Sequence, residues 1–195
     1  YERNTDANGI DDLKAAIDSA TIIQNDSTAT PEDQVAATVA LNEAVEIFET
    51  LQDAYSNLQK AIKTATAQLG DGTGYGASGL QSAIDKATEI VNNTEATASQ
   101  LDAATMELNS AVALYKKLKT AHTNLLAVID EAVLLYADGT GNGAAELQET
   151  INKARQTANE SETTSEAMDV ATEELKNAIF KYRVLNATGT VPTVT

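Results

Sequence analysis

Cysteine and tryptophan are absent from the 195-residue chain, histidine occurs once and proline twice. Without cysteine there is no disulfide framework, thiolate zinc site, iron–sulfur cluster or cysteine nucleophile. A single histidine, His122, denies the chain the histidine sets of common metal sites and the relay of a serine hydrolase. Bases are scarce too: 13 Lys and Arg face 29 Asp and Glu, a formal net charge of −16. Such a surface repels phosphate, so a nucleic-acid binder is not expected. No uninterrupted apolar run approaches the roughly 18 residues of a membrane span, so no span is expected in this segment. The first residues do not read as a signal peptide. No motif asks for a cofactor or a metal, and no catalytic constellation stands in the chain. A non-enzyme is expected.

What the chain does have is a repeat. Leu13, Leu80 and Leu147 each open the pattern L-x-x-x-I-x-x-A, 67 residues apart. The same step relates Leu41, Leu108 and Leu175; Phe48, Tyr115 and Tyr182; and Leu51, Leu118 and Leu185. Residues 55–121 and 122–188 share 26 identities in 67 positions, and 1–54 and 68–121 share 20 in 54, without a gap. A fixed period of this size is the mark of a repeat architecture. Copy one is 1–54 and lacks its first 13 residues; copy two is 55–121 and copy three is 122–188. The tail 189–195 turns to Thr, Val and Pro and reads as an extended linker to a following domain.

Each copy reads as three helices. A first helix of copy two runs from about Tyr55 to Leu69 and stops at Gly70-Asp71-Gly72. A second, about Ala77 to Val91, carries Leu80, Ile84, Ala87 and Val91 on one stripe. The third follows Thr97, an N-cap with Gln100 at the capping-box position; Thr30 with Asp33, and Thr164, stand at the equivalent places. From Leu41 the apolar positions Ala44, Phe48, Leu51, Tyr55, Leu58, Ile62, Ala65 and Leu69 follow at steps of three and four across the copy boundary. Neither glycine nor proline interrupts that run, nor the equivalent one from Leu108 through His122 to Tyr136. The last helix of one copy is therefore expected to continue as the first helix of the next, over 31–69 and 98–136, each about 58 Å long. The expected fold is all-α: a rod-like tandem array of three-helix bundles, spectrin-like, with long helices shared between consecutive repeats.

The block Asn92-Asn93-Thr94-Glu95-Ala96-Thr97-Ala98-Ser99-Gln100-Leu101-Asp102-Ala103-Ala104, followed by Leu108, Ala111 and Val112, resembles the FIVAR module. The stripe Leu80-Gln81-Ser82-Ala83-Ile84-Asp85-Lys86-Ala87 is similar to the same pattern, and the likeness covers the chain to about residue 188. The chain departs from it by having no tryptophan near the Gly-rich loop. The resemblance implies small three-helix bundles in tandem, in bacterial cell-surface and secreted proteins such as adhesins and glycoside hydrolases. It implies an extracellular or cell-surface location and a modular role. It brings no catalytic residue and no ligand.

Candidate sites are few. The loops Asp71-Gly72-Thr73-Gly74-Tyr75-Gly76 and Asp138-Gly139-Thr140-Gly141-Asn142-Gly143 would offer carbonyls and one carboxylate, Asp71 or Asp138, to an ion. They lack the oxygen-rich spacing of an EF-hand and the lysine of a P-loop, and a glycine-built turn between antiparallel helices is the preferred reading. His122 reads as a packed junction residue. Sugar binding wants exposed rings; Tyr55, Tyr115, Tyr136, Tyr182 and Phe48 fall on apolar stripes, which leaves Tyr1, Tyr75 and Phe180 as candidate ligand contacts. The carboxylate pairs Asp11–Asp12, Glu32–Asp33 and Glu173–Glu174 lie near helix starts, where negative charge suits the helix dipole.

Copy one keeps its inward stripes from Ile10 and from Pro31 but lacks the helix that would cover them. Either residues 1–8 cover part of that groove or a second chain does; an open groove of this kind predicts association, in the simplest case a homodimer through the N-terminal bundle. The expected function is a structural spacer, or an interaction array meeting a protein or glycan at the cell surface. The alternative is an adhesion or carbohydrate-binding module attached to a glycan-processing system.

Overall fold

A computed structural model describes residues 9–137 and 139–187 of the chain. Six α-helices follow one another: α1 Ile10–Asn25, α2 Pro31–Leu69, α3 Ala77–Asn92, α4 Ala98–Tyr136, α5 Ala144–Asn159 and α6 Ser165–Asn186. Among the described residues there is no strand, so the fold is all-α. Helix starts recur every 67 residues, at Ile10, Ala77 and Ala144 and again at Pro31, Ala98 and Ser165. The long helices occupy 31–69 and 98–136, so the copy boundaries at 54/55 and 121/122 fall inside helices. The expected linker at 189–195 lies outside the described residues.

Local chemistry explains these limits. The Thr30 hydroxyl accepts the Asp33 N–H at 3.2 Å, while the Asp33 carboxylate accepts the Thr30 N–H at 2.9 Å. Gln100 closes the same box on Thr97, accepting the Thr97 N–H at 2.9 Å. Thr164 accepts the Ala167 N–H at 3.2 Å without the return bond. Each cap satisfies a backbone donor that the first helical turn leaves free. The turn before each of the two long helices is also reused: Asp26 accepts the Thr28 N–H before α2, and Asn93, one repeat on, accepts the Glu95 N–H before α4. Within the helices, threonines such as Thr21, Thr38, Thr105 and Thr172 donate to the carbonyl four residues back, so their hydroxyls stay satisfied.

The described residues group into two compact units, 9–72 with 78–112 and 73–77 with 113–187. In the second, Leu125, Val128, Ile129 and Ala132 of α4, Leu147, Ile151 and Ala154 of α5, and Met168, Leu175 and Ile179 of α6 close on one core. Leu125, Leu147, Ile151, Met168 and Leu175 are sealed from solvent, each worth about 1.5–3 kcal/mol of burial. In the first unit, Leu58 and Ala65 of α2, Leu80 and Ile84 of α3, and Leu101 and Leu108 of α4 are buried.

The first half of α2 and all of α1 are different. Helix α1 buries no residue, and α2 buries none before Leu51. Ile17 is 45% exposed, whereas its equivalents Ile84 and Ile151 are 6% and 1% exposed. The apolar face exists, as the stripe predicts. It is only half covered.

Candidate functional site

The glycine loop at 139–143 is held by α6. Asn186 accepts the Asn142 N–H on Oδ1 at 2.9 Å and donates from Nδ2 to the Asn142 carbonyl at 2.9 Å. The Tyr182 hydroxyl donates to the Thr140 carbonyl at 2.5 Å. Two carbonyls that an ion would need therefore already accept hydrogen bonds from the protein. Gly141 has φ 107°, and a Cβ there would come within 2.6 Å of Asn186 Oδ1, so only glycine fits this clasp. Asp71 is exposed, and Asp138 lies outside the described residues. Among the described residues no group of three or more His, Asp or Glu is placed to hold a metal ion.

Tyr75, expected as an exposed ring, is instead half-buried. Its ring stacks on His122 with centroids 4.8 Å apart and planes at 19°. Its hydroxyl donates to the Glu160 carbonyl at 2.5 Å, with the Thr163 carbonyl 3.1 Å away. His122 Nε2 lies 3.2 Å from the Ala158 carbonyl. A carbonyl can only accept, so this contact requires the proton on Nε2. Among the described residues the hydrogen-bond partner of the His122 ring is the Ala158 carbonyl, with no acid or hydroxyl beside it. The arrangement ties the loop at 73–76 to the α5–α6 turn. It is a clasp, built from residues 47 positions apart that no local pattern connects.

Phe180 is 70% exposed and is, among the described residues, the one aromatic side chain in the exposed class. Tyr1 lies outside the described residues. Among the described residues no ring contact joins Tyr75 and Phe180. Tyr115 and Tyr182 are buried, while Tyr55, Tyr136 and Phe48 are half-buried, as their stripe positions predict.

Two of the carboxylate pairs stand at helix starts: Asp11 and Asp12 lie in the first turn of α1, and Glu32 and Asp33 in that of α2. Glu173 and Glu174 do not, because α6 begins at Ser165 and its first turn carries Glu166; Glu173 instead pairs with Lys176 at 2.7 Å. The Thr30 hydroxyl holds the Asp33 carboxyl below the usual range. The strongest shift belongs to Glu166, brought down to about 2 by the Lys117 ammonium, then by its own N–H and the Ser165 hydroxyl. Lys117 is raised in turn by Glu166. Both side chains are more than half exposed, so solvent screens the pair.

Comparison with known protein families, with curated proteins and with solved structures found no match. No helix among the described residues is long and apolar enough to cross a membrane.

Proposed function

We propose that this chain is a non-catalytic helical spacer of a bacterial cell-surface or secreted protein. Its 67-residue units are FIVAR-like three-helix bundles in tandem, and consecutive units share a long helix in the manner of spectrin. One observation carries this reading: α2 and α4 run 39 residues each, without a break, through the copy boundaries at 54/55 and 121/122. Helices of that length span about 58 Å, and bending one sharply would break its i to i−4 hydrogen bonds. The alanine-rich composition supports close helix approach and high helix propensity. The surface location rests on the resemblance of residues 92–104 and 80–87 to the module.

Small-angle scattering of the chain tests the spacer. The expected curve is that of an elongated particle with the cross-section of a helical bundle. A compact-particle curve overturns the reading.

A further inference from the structure

The rim of the half-covered α1–α2 face specifies what would cover it. On α5 and α6 the equivalent face is closed by residues 121–132 of α4. Two ion pairs join α4 to α6 there: Lys117 to Glu166, and Glu131 to Arg183 at 2.8 Å. Stepping the α6 partners back by two repeats gives Glu32 and Glu49 on α2. Glu32 keeps the acid of Glu166. Glu49 stands where Arg183 stands, with the sign reversed, and both glutamates are exposed.

Between these two acids the face is apolar. Leu41, Ala44 and Phe48 of α2 and Leu13 of α1 are half-buried, Val45 is 37% exposed and Ile17 is 45% exposed. Toward the α1–α2 turn it becomes polar, because Gln24 and Gln34 replace Ala158 and Met168, both buried in the third copy. Residues 10–54 carry ten acids and one base, Lys14.

We infer that this face docks one basic amphipathic α-helix, lying on α1 and α2 as residues 121–132 lie on α5 and α6. The helix carries a cation opposite Glu32 and another opposite Glu49. Lys117 and Glu131 are 14 residues apart, so the two cations stand about 21 Å apart along it. Apolar residues at three- and four-residue steps between them meet Ile17, Leu41 and Val45, the helix-in-groove mode of recognition. A second copy of the chain docking by the same face would set one acidic rim against another, which is repulsive.

The test titrates the full chain with two synthetic peptides of residues 117–136, one native and one bearing Glu131→Lys, followed by NMR in about 50 mM salt. The lysine peptide is expected to bind roughly fivefold tighter, with shifts confined to α1 and the first half of α2, and salt at about 0.5 M removes the preference. Glu49→Arg in the chain reverses the preference. Ile17→Asp, or Val45→Asp on the other wall, weakens both peptides at least about tenfold while circular dichroism holds the helix content unchanged. Equal affinity for the two peptides, a preference that survives Glu49→Arg, or binding of neither peptide overturns the proposal. A chain that sediments as a dimer and becomes monomeric with Val45→Asp also overturns it, in favour of a second copy.

Discussion

In α5 and α6, Leu147, Ile151, Ala154 and Leu175 are sealed from solvent, while their equivalents two repeats earlier, Leu13, Ile17, Ala20 and Leu41, are half-buried or exposed. The residues are identical in type at all four positions. The difference lies in the third wall. Residues 121–132 of α4 close the later pair of helices, whereas among the described residues α1 packs against α2 and buries none of its own side chains fully. An amphipathic pattern thus names a face without burying it, and burial, which supplies most of a helix's stability, arrives with the partner.

The largest test of that contrast is a matched pair of truncations. Ile151→Ala should cost about 2–5 kcal/mol in urea unfolding, while Ile17→Ala should cost less than about 1 kcal/mol. Equal costs would break the contrast, because they would mean that the α1 face is covered in solution. Native-state amide exchange sharpens it further. Amides in the middle of α1 should open at a free energy about 1–3 kcal/mol below those of α5, as few buried contacts hold them. If α1 were as protected as α5, local packing alone would have sufficed.

A smaller contrast compares the second and third copies. Tyr182 donates to the Thr140 carbonyl, but the equivalent Tyr115 hydroxyl is buried with no hydrogen-bond partner among the described residues. Tyr182→Phe should cost about 1 kcal/mol in thermal unfolding, and Tyr115→Phe should be neutral or slightly stabilising. The smallest effect concerns the rim. Glu166 is held at about 2 in the folded chain, below its usual carboxylate value of 4.5. A depressed folded value means that its contribution is present above the unfolded pKa and is lost as pH falls from there through about 2. Lys117→Ala should move the Glu166 titration, read by carboxyl-carbon NMR, back toward the usual carboxylate range. An unmoved midpoint would remove Lys117 as the cause.

Much of this was legible in the residue order because it is local. The caps at Thr30, Thr97 and Thr164 and the unbroken steps through Tyr55 and His122 act within one helical turn, and helices begin and run where those residues require. The contrast between Ile17 and Ile151 follows the 67-residue step, since no described segment precedes α1 as residues 121–132 precede α5. The Tyr75–His122 stack and the Asn186 clasp were not legible, because each joins residues more than 40 positions apart through geometry that only packing creates. Tyr75 sits among glycines, which reads as an exposed turn. The Thr140–Tyr182 spacing recurs at Thr73 and Tyr115, yet the Tyr115 hydroxyl makes no such bond among the described residues, so spacing alone does not signal the contact.

The copy boundary inside each long helix has a genetic consequence. Removing residues 45–111 joins Ala44 to Val112, a junction that reproduces both Ala44-Val45 and Ala111-Val112. Other 67-residue excisions within this stretch keep the helical register but not always a native junction: removing residues 47–113 joins Glu46 to Leu114. Where the flanking residues match, as at Ala44 and Val112, such an excision changes the chain by 67 residues and leaves a native join. Length in such a protein is quantised, and lineages can add or drop repeats without having to evolve a new connection.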